Sequence, residues 1–199
     1  MIAALGPLLV LLTAAGGDIA PSVATQPSTP ACYDDAESLF ALSADEFDQT
    51  FGGGWRVVAA REGCDNAAAE LIKTYIARNH ARIELASLHA IYWHVGQLKA
   101  FAGEDREAVS YLMAGVNPAQ RGRDLGLHEY ATGTVAFLNR DRDGLAAARA
   151  RLSELPPPDW YEAERAAGRM TAWPANLGVL DNLIRCFNAP YSVAYSSSC

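Results

Sequence analysis

Two stretches of this chain resemble each other at a separation of 36 residues. Residues 100–107, AFAGEDRE, match residues 136–143, AFLNRDRD. Each copy places Gly103 or Asn139, which adopt the left-handed conformation at low cost, directly after an apolar helix end. Acidic residues follow and favour the start of the next helix. The repetition predicts two consecutive helix-turn-helix units of about 36 residues in an all-α fold.

The predicted units resemble the tetratricopeptide repeat (TPR) family over about a third of the chain. The residues that fall close to the TPR consensus are Tyr92, Val95, Gly96, Ala108, Leu112 and Gly115. The second unit departs from that consensus, with Thr132 in place of Gly and Gly144 in place of Ala. The resemblance implies stacked hairpins whose first helices line a concave groove. The chain is also similar to bacterial exported proteins that carry W-H-x-G-Q, here residues 93–97, followed by A-F-L-x-x-D, here residues 136–141; this likeness implies no particular activity.

Further helices are predicted before the repeat. Ser43 and Glu46 form a capping-box pattern that begins a short helix. A second helix is expected over residues 67–78, and a central helix from about Arg82 to Phe101. Because apolar residues fall nearly all round the central helix, we expect it to pack on more than one side.

Flanking helices are also predicted after the repeat. Residues 159–162 have a capping-box pattern, and Pro174 suits the first turn of a last helix. Tyr191 and Tyr195 are expected to pack back onto the fold. Together these segments would cover the exposed face of the last unit, as a terminal repeat requires.

The N-terminus has the pattern of a signal peptide, assigned to residues 1–17. Its apolar core, residues 8–12, is too short to span a membrane, and small residues follow it. Cleavage is expected near residues 15–17, with Ser22 and Ala24 as a second site. No Lys or Arg precedes the core, so an uncleaved N-terminus is the alternative. Export predicts a periplasmic or secreted protein.

Residues 18–31 are rich in Pro, Ser and Thr and predict a flexible leader before a single folded domain over residues 32–199. The formal charge of −7, from 16 basic and 23 acidic residues, provides no positive field that would attract nucleic acid or anionic lipid. No stable membrane span is expected after signal cleavage.

An even number of cysteines in an exported chain indicates two disulfides. The four cysteines are Cys32, Cys64, Cys186 and Cys199. No C-x-x-C pair is present, which argues against a zinc ribbon or a thioredoxin-type site. The simplest pairing joins Cys32 to Cys64 and Cys186 to Cys199, and each bridge would stabilise the fold by about 3–4 kcal/mol. The alternative is a clasp between the two ends of the chain.

A candidate binding groove follows from the repeat. Ser87, His94 and Gln97 share one stripe of the central helix. Adding 36 residues to His94 gives Tyr130, and Thr134 lies one helical turn further on. These five residues are predicted to line one continuous surface that offers hydrogen bonds and an aromatic platform. The alternative is that His94 and Gln97 form hydrogen bonds between helices.

The groove predicts a module that binds a protein or peptide partner. A small cell-envelope enzyme acting around His94, with Glu129 as acid or base, is the alternative, and a structural envelope protein is a third. No metal site is expected, because His89 and His94 are five residues apart on a helix and point away from each other. No cofactor is predicted.

Overall fold

Helices form all of the regular secondary structure in the residues that the computed structural model describes, which are 32–116, 125–168, 172–196 and 199. The prediction of an all-α fold is confirmed for this part of the chain. The predicted signal peptide, residues 1–17, and leader, residues 18–31, lie outside it.

Eleven α-helices follow one another along the described chain, with a 3-10 turn at His80–Arg82 between the fourth and fifth. The bounds are α1 Glu37–Phe40, α2 Ala44–Asp48, α3 Arg56–Ala59, α4 Asp65–Asn79, α5 Leu85–Phe101, α6 Asp105–Gly115, α7 Leu125–Leu138, α8 Arg142–Ser153, α9 Tyr161–Ala166, α10 Leu177–Arg185 and α11 Tyr191–Tyr195.

The predicted repeat corresponds to two helical hairpins, α5–α6 and α7–α8, each closed by the same turn. In the first, Gly103 has a φ of +80° and Glu104 N donates to Lys99 O at 2.8 Å. In the second, Arg140 has a φ of +59° and Asp141 N donates to Ala136 O at 2.8 Å. Both turns are Schellman motifs, which satisfy carbonyls left free at the end of a helix.

The left-handed residue of the second turn is Arg140, so the prediction of Asn139 is wrong by one position. The cause is the start of α8, because the Asp141 carboxylate accepts from Gly144 N at 2.9 Å and caps the helix. Aspartate is among the preferred N-cap residues. With Asp141 in that role, the residue before it must make the turn, and the two turns are 37 residues apart rather than 36.

Glycines allow α5 and α6 to approach closely. A Cβ on Gly96 would lie 2.7 Å from Leu112 N, and a Cβ on Gly115 would lie 2.7 Å from Trp93 N. Both contacts are with backbone, which cannot move aside easily. The first hairpin therefore depends on small residues at these two crossing points.

The helix α5 contributes to two hydrophobic clusters, as predicted from its apolar residues. On one side, Ile91 and Val95 pack with α2, α3 and α4 around the stacked rings of Phe47 and Tyr75. On the other side, Trp93 packs with the second hairpin and with α10 and α11. The predicted stripes on α6 and α8 are also confirmed: Leu112, Leu145 and Ala148 are fully buried and Val109 is half-buried.

Both predicted disulfides are present. Cys32 pairs with Cys64 across a Cα–Cα distance of 5.6 Å, and Cys186 pairs with Cys199 across 5.8 Å. The first bridge ties the beginning of the described chain to the residue before α4. The alternative clasp between the chain ends is excluded by this pairing.

The helices after the repeat begin later than predicted. The helix α9 starts at Tyr161 without a side-chain cap, and α10 starts at Leu177, three residues beyond Pro174. Tyr191 of α11 packs back onto the fold as predicted, with its ring 5.1 Å from Phe101 of α5 and 6.1 Å from Phe137 of α7. Among the described helices, none combines the length and the apolar character needed to cross a bilayer.

Candidate functional site

Two of the five predicted groove residues lie inside the protein. Tyr130 is 2% exposed and Thr134 is 0% exposed. The Tyr130 ring packs against Trp93 at 5.4 Å, and Thr134 Oγ1 donates to the Tyr130 carbonyl at 2.9 Å. Burial raises the pKa of Tyr130 well above its ordinary value. Both residues belong to the core of the second hairpin, so the predicted groove does not include them.

The one-residue difference in repeat spacing explains this result. With turns 37 residues apart, Tyr130 corresponds to the core residue Trp93, and Thr134 corresponds to Gln97. A shift of one residue rotates a position by about 100° around a helix. The spacing of 36 therefore paired Tyr130 with His94, which lies on a different face.

The other three residues do not form one surface either. Ser87 and Gln97 are half-buried. Gln97 lies near the buried hydroxyl of Tyr191, which has no hydrogen bond of good geometry to another described residue. His94 instead reaches toward α2. The prediction that the five residues line one continuous surface is not supported.

His94 forms a pair with a buried carboxylate. Its Nδ1 lies 2.7 Å from Asp48 Oδ1, and Trp55 Nε1 donates to the same oxygen at 2.9 Å. Asp48 is 2% exposed, and burial alone would raise its pKa. Hydrogen bonds from His94, Trp55 and Gln49, together with the charge interaction with His94, outweigh burial and hold the pKa of Asp48 below its ordinary value.

The Asp48 carboxylate determines how the imidazole is presented. An ionised carboxylate can only accept, so His94 Nδ1 carries the proton. His94 Nε2 makes no hydrogen bond to another described residue, and the side chain is 19% exposed. An imidazole held in this way can accept a proton or a hydrogen bond at Nε2.

The loop between α2 and α3 is braced at its base. Arg56 donates to the Asp48 carbonyl and lies over the Trp55 ring at 4.2 Å. Gly54 has a φ of +52°, and a Cβ there would lie 1.9 Å from the Phe47 carbonyl oxygen. This position therefore requires glycine. The loop turns sharply and presents Phe51, which is 94% exposed.

Four neighbouring side chains are called the Phe51 surface below, namely Phe51, Trp55, Arg56 and His94. Trp55 joins its parts, because its ring lies 5.2 Å from His94 and also beneath Arg56. Sequence reasoning missed this site, since Asp48 and His94 are 46 residues apart and no short motif connects them. The run Gly52–Gly54 marks the loop in the sequence, but it does not indicate which helix the loop packs against.

The remaining candidates have structural partners. Glu129, proposed as an acid or base beside His94, pairs with Arg151 at 2.8 Å. His89 Nδ1 lies 2.8 Å from the Ala114 carbonyl oxygen. No cluster of three or more metal-ligating side chains occurs among the described residues.

Lys99 is buried but belongs to an ion-pair network that joins three helices. Its Nζ lies 2.6 Å from Glu70 on α4 and 2.9 Å from Glu107 on α6. Burial alone would lower the pKa of Lys99, but these carboxylates raise it. A lysine kept charged in this way is not a nucleophile, so we assign Lys99 a structural role.

Comparison of the chain with models of protein families, with curated proteins and with solved structures found no match.

Proposed function

We propose that this protein is an exported helical module that binds a protein or peptide partner through the Phe51 surface. The observation that supports the proposal is the 94% exposure of Phe51 on a braced loop. A buried Phe side chain contributes about 1.5–3 kcal/mol, which is available here only from a partner. Because the base of the loop is already ordered, binding would cost less entropy than on a flexible loop.

The rest of the proposal concerns scaffold and compartment. The two hairpins would act as a TPR-like scaffold that holds the loop, rather than as the binding groove itself. The predicted signal peptide supports export to the periplasm or beyond. The two disulfides are typical of an oxidising compartment.

A photo-crosslinking amino acid at position 51 tests the proposal. The matched control is the same amino acid at position 85, because Leu85 is also exposed, at 66%, but lies at the start of α5. We expect a discrete adduct from position 51 in cells and none from position 85. The captured partner should bind the purified protein, and Phe51→Ala should weaken binding at least tenfold. Equal labelling at both positions, or binding unaffected by Phe51→Ala, would contradict the proposal.

A second candidate function is hydrolysis at His94, which the 2.7 Å contact with Asp48 favours. In that reaction His94 Nε2 would accept a proton from the attacking water while Asp48 orients the ring. The test is a panel of chromogenic esters, amides and phosphoesters. His94→Gln should reduce any turnover by about 100-fold or more, a typical contribution of a general base. Turnover that survives His94→Gln, or no turnover on the whole panel, would leave binding as the function.

A further inference from the structure

Arg56 is the charged side chain that lies against the exposed ring of Phe51. Its guanidinium carbon is 5.9 Å from the centre of the Phe51 ring and 4.2 Å from the centre of the Trp55 ring. Both distances are within the range of about 6 Å over which an aromatic face attracts a cation. A partner that covers Phe51 therefore comes within reach of a positive charge.

The charge of Arg56 has no carboxylate partner in the described part of the chain. The guanidinium donates a hydrogen bond to the backbone carbonyl of Asp48. The carboxylate of Asp48 is engaged elsewhere, because it is 2% exposed and accepts hydrogen bonds from His94, Trp55 and Gln49. A guanidinium has five N–H donors, so most of those of Arg56 remain available to a partner.

The surroundings of Arg56 favour a carboxylate as that partner. The side chain is half-buried, and a charge that is partly removed from water attracts an opposite charge more strongly than an exposed one does. A carboxylate can accept two parallel N–H bonds from a guanidinium. A Lys or Arg of a partner would be repelled by the like charge. Phosphorylated segments are recognised by clusters of arginines, whereas the Phe51 surface contains one.

We infer that the occupant of the Phe51 surface is a segment of a partner protein in which an Asp or Glu lies beside a large apolar residue. The apolar side chain covers Phe51, and the carboxylate pairs with Arg56. The inference rests on the proposed binding function and adds the chemistry of the partner.

The net charge of the chain opposes such a partner only at a distance. The formal charge of −7 repels an acidic segment as it approaches. At physiological ionic strength, however, exposed charges more than about 8 Å apart are largely screened from each other. The pair with Arg56 acts at contact distance, where screening is weakest. We therefore expect this pair to affect mainly the rate of dissociation.

The probe is a random dodecapeptide library displayed on phage at the N-terminus of a coat protein, so that no peptide has a free C-terminal carboxylate. The library is selected on the wild-type protein and then depleted on Phe51→Ala, so that the retained peptides depend on Phe51. We expect the retained peptides to carry more Asp and Glu than Lys and Arg, together with at least one large apolar residue. One retained sequence is then synthesised with an amidated C-terminus.

Replacing the acidic residue of the synthetic peptide by its amide tests the pair without changing the protein. On the wild type, this change should accelerate dissociation about fivefold or more. On Arg56→Gln, the same change should have less than about a twofold effect, because the carboxylate no longer has its partner. The matched control is Arg106→Gln, which removes one exposed positive charge on α6, outside the Phe51 surface. The control should keep the full effect of the peptide change.

Each alternative result has a separate meaning. Phe51-dependent peptides without an excess of acidic residues would overturn the inference and leave the binding function intact. An acid-to-amide change with no effect on dissociation from the wild type would do the same, even where Arg56→Gln disturbs the loop. An effect equally large on Arg56→Gln would show that the carboxylate binds elsewhere and would also overturn the inference.

Two further outcomes concern the occupant itself. Failure to retain any Phe51-dependent peptide would overturn both the inference and the proposed function. Self-association of the wild-type protein that is lost in Phe51→Ala would show that the occupant is a second copy of this chain and would overturn the inference.

Discussion

The two hairpins have the same turn but different surroundings. Both α5–α6 and α7–α8 close through a Schellman motif with one left-handed residue. Aligned on these turns, His94 of α5 corresponds to Ala131 of α7, and Lys99 corresponds to Ala136. The two polar residues pair with Asp48 and Glu70, whereas both alanines are buried in the hydrophobic core.

The comparison distinguishes the residues that close a hairpin from the residues that form the candidate site. End caps and an apolar stripe on α6 or α8 are enough to close either hairpin. The polar side chains of α5 that face α2 and α4 have no counterpart in α7, because, of α5 and α7, it is α5 that packs against α2 and α4. The candidate site therefore lies where α5 of the first hairpin meets the loop between α2 and α3, a segment that is not repeated.

The largest expected effect tests whether the correspondence of Tyr130 with Trp93 is correct. Tyr130→Ala and Trp93→Ala should each lower the free energy of unfolding by about 3–5 kcal/mol, since each leaves a cavity in the core. Urea unfolding followed by circular dichroism measures both. Ser87→Ala, at a half-buried position, should cost less than about 1 kcal/mol. A loss at Tyr130 no larger than at Ser87 would restore the groove predicted at a spacing of 36.

The next largest effect is the loss of stability on substitution of Gly96, compared with that of Gly133, the corresponding glycine in the second hairpin. Gly96→Ala should lower the free energy of unfolding by about 1–3 kcal/mol, because its Cβ would meet Leu112 N at 2.7 Å. At Gly133 the nearest atoms are the methyl groups of Leu180, at 2.8 and 3.0 Å, and these can move. Alanine also has a helix propensity about 1 kcal/mol better than glycine.

Gly133→Ala should therefore change stability by less than about 1 kcal/mol. Thermal and urea unfolding of the two variants, measured side by side, check the difference. Equal losses at the two positions would show that both hairpins are packed equally tightly and would contradict the comparison.

Local signals in the sequence predicted local structure well. The capping box formed as expected, with Ser43 N donating to the Glu46 carboxylate at 3.0 Å and Glu46 N donating to Ser43 Oγ at 3.3 Å. Cysteine positions near the two ends of the chain predicted the two short loops that the disulfides close. The capping box depends on residues that are close in sequence, and four cysteines allow few possible pairings.

Two features of the site could not be predicted for physical reasons. The spacing of 36 aligns the two copies on their most similar residues. The position of the turn, however, is determined by which residue caps the next helix, and in the second copy that residue is Asp141. The pair of Asp48 with His94 depends on how α2 docks on α5, which no pattern within either helix reports. The buried faces of α6 and α8 are predictable from residue spacing within each helix, whereas contacts between distant helices are not.

A smaller effect concerns how stability depends on pH through Asp48, which contacts His94 of the first hairpin. The pKa of Asp48 is lowered in the folded protein, so its ionised form contributes stability at pH values above its unfolded pKa of about 3.9. That contribution is lost as the pH falls through the folded pKa. Asp48→Asn should therefore be less stable than the wild type at pH 5, with a smaller difference at pH 2.5. Urea midpoints at both pH values measure this change. A difference that is constant with pH would contradict the assigned pKa shift.

The smallest effect tests the two turns themselves. Gly103→Ala should lower the free energy of unfolding by about 1 kcal/mol, because the left-handed conformation costs alanine about 1–2 kcal/mol and nothing lies within 4 Å of the added Cβ. Arg140→Gly removes that conformational cost but also removes hydrogen bonds from the guanidinium to the carbonyls of Phe187 and Ala189, at 2.9 and 3.3 Å. The two changes oppose each other, and the net effect should be within about 0.5 kcal/mol of zero. Matched urea titrations resolve the difference between the variants. If Arg140→Gly instead stabilises the protein by as much as Gly103→Ala destabilises it, then Arg140 contributes nothing through its side chain and the turns differ only in conformational cost.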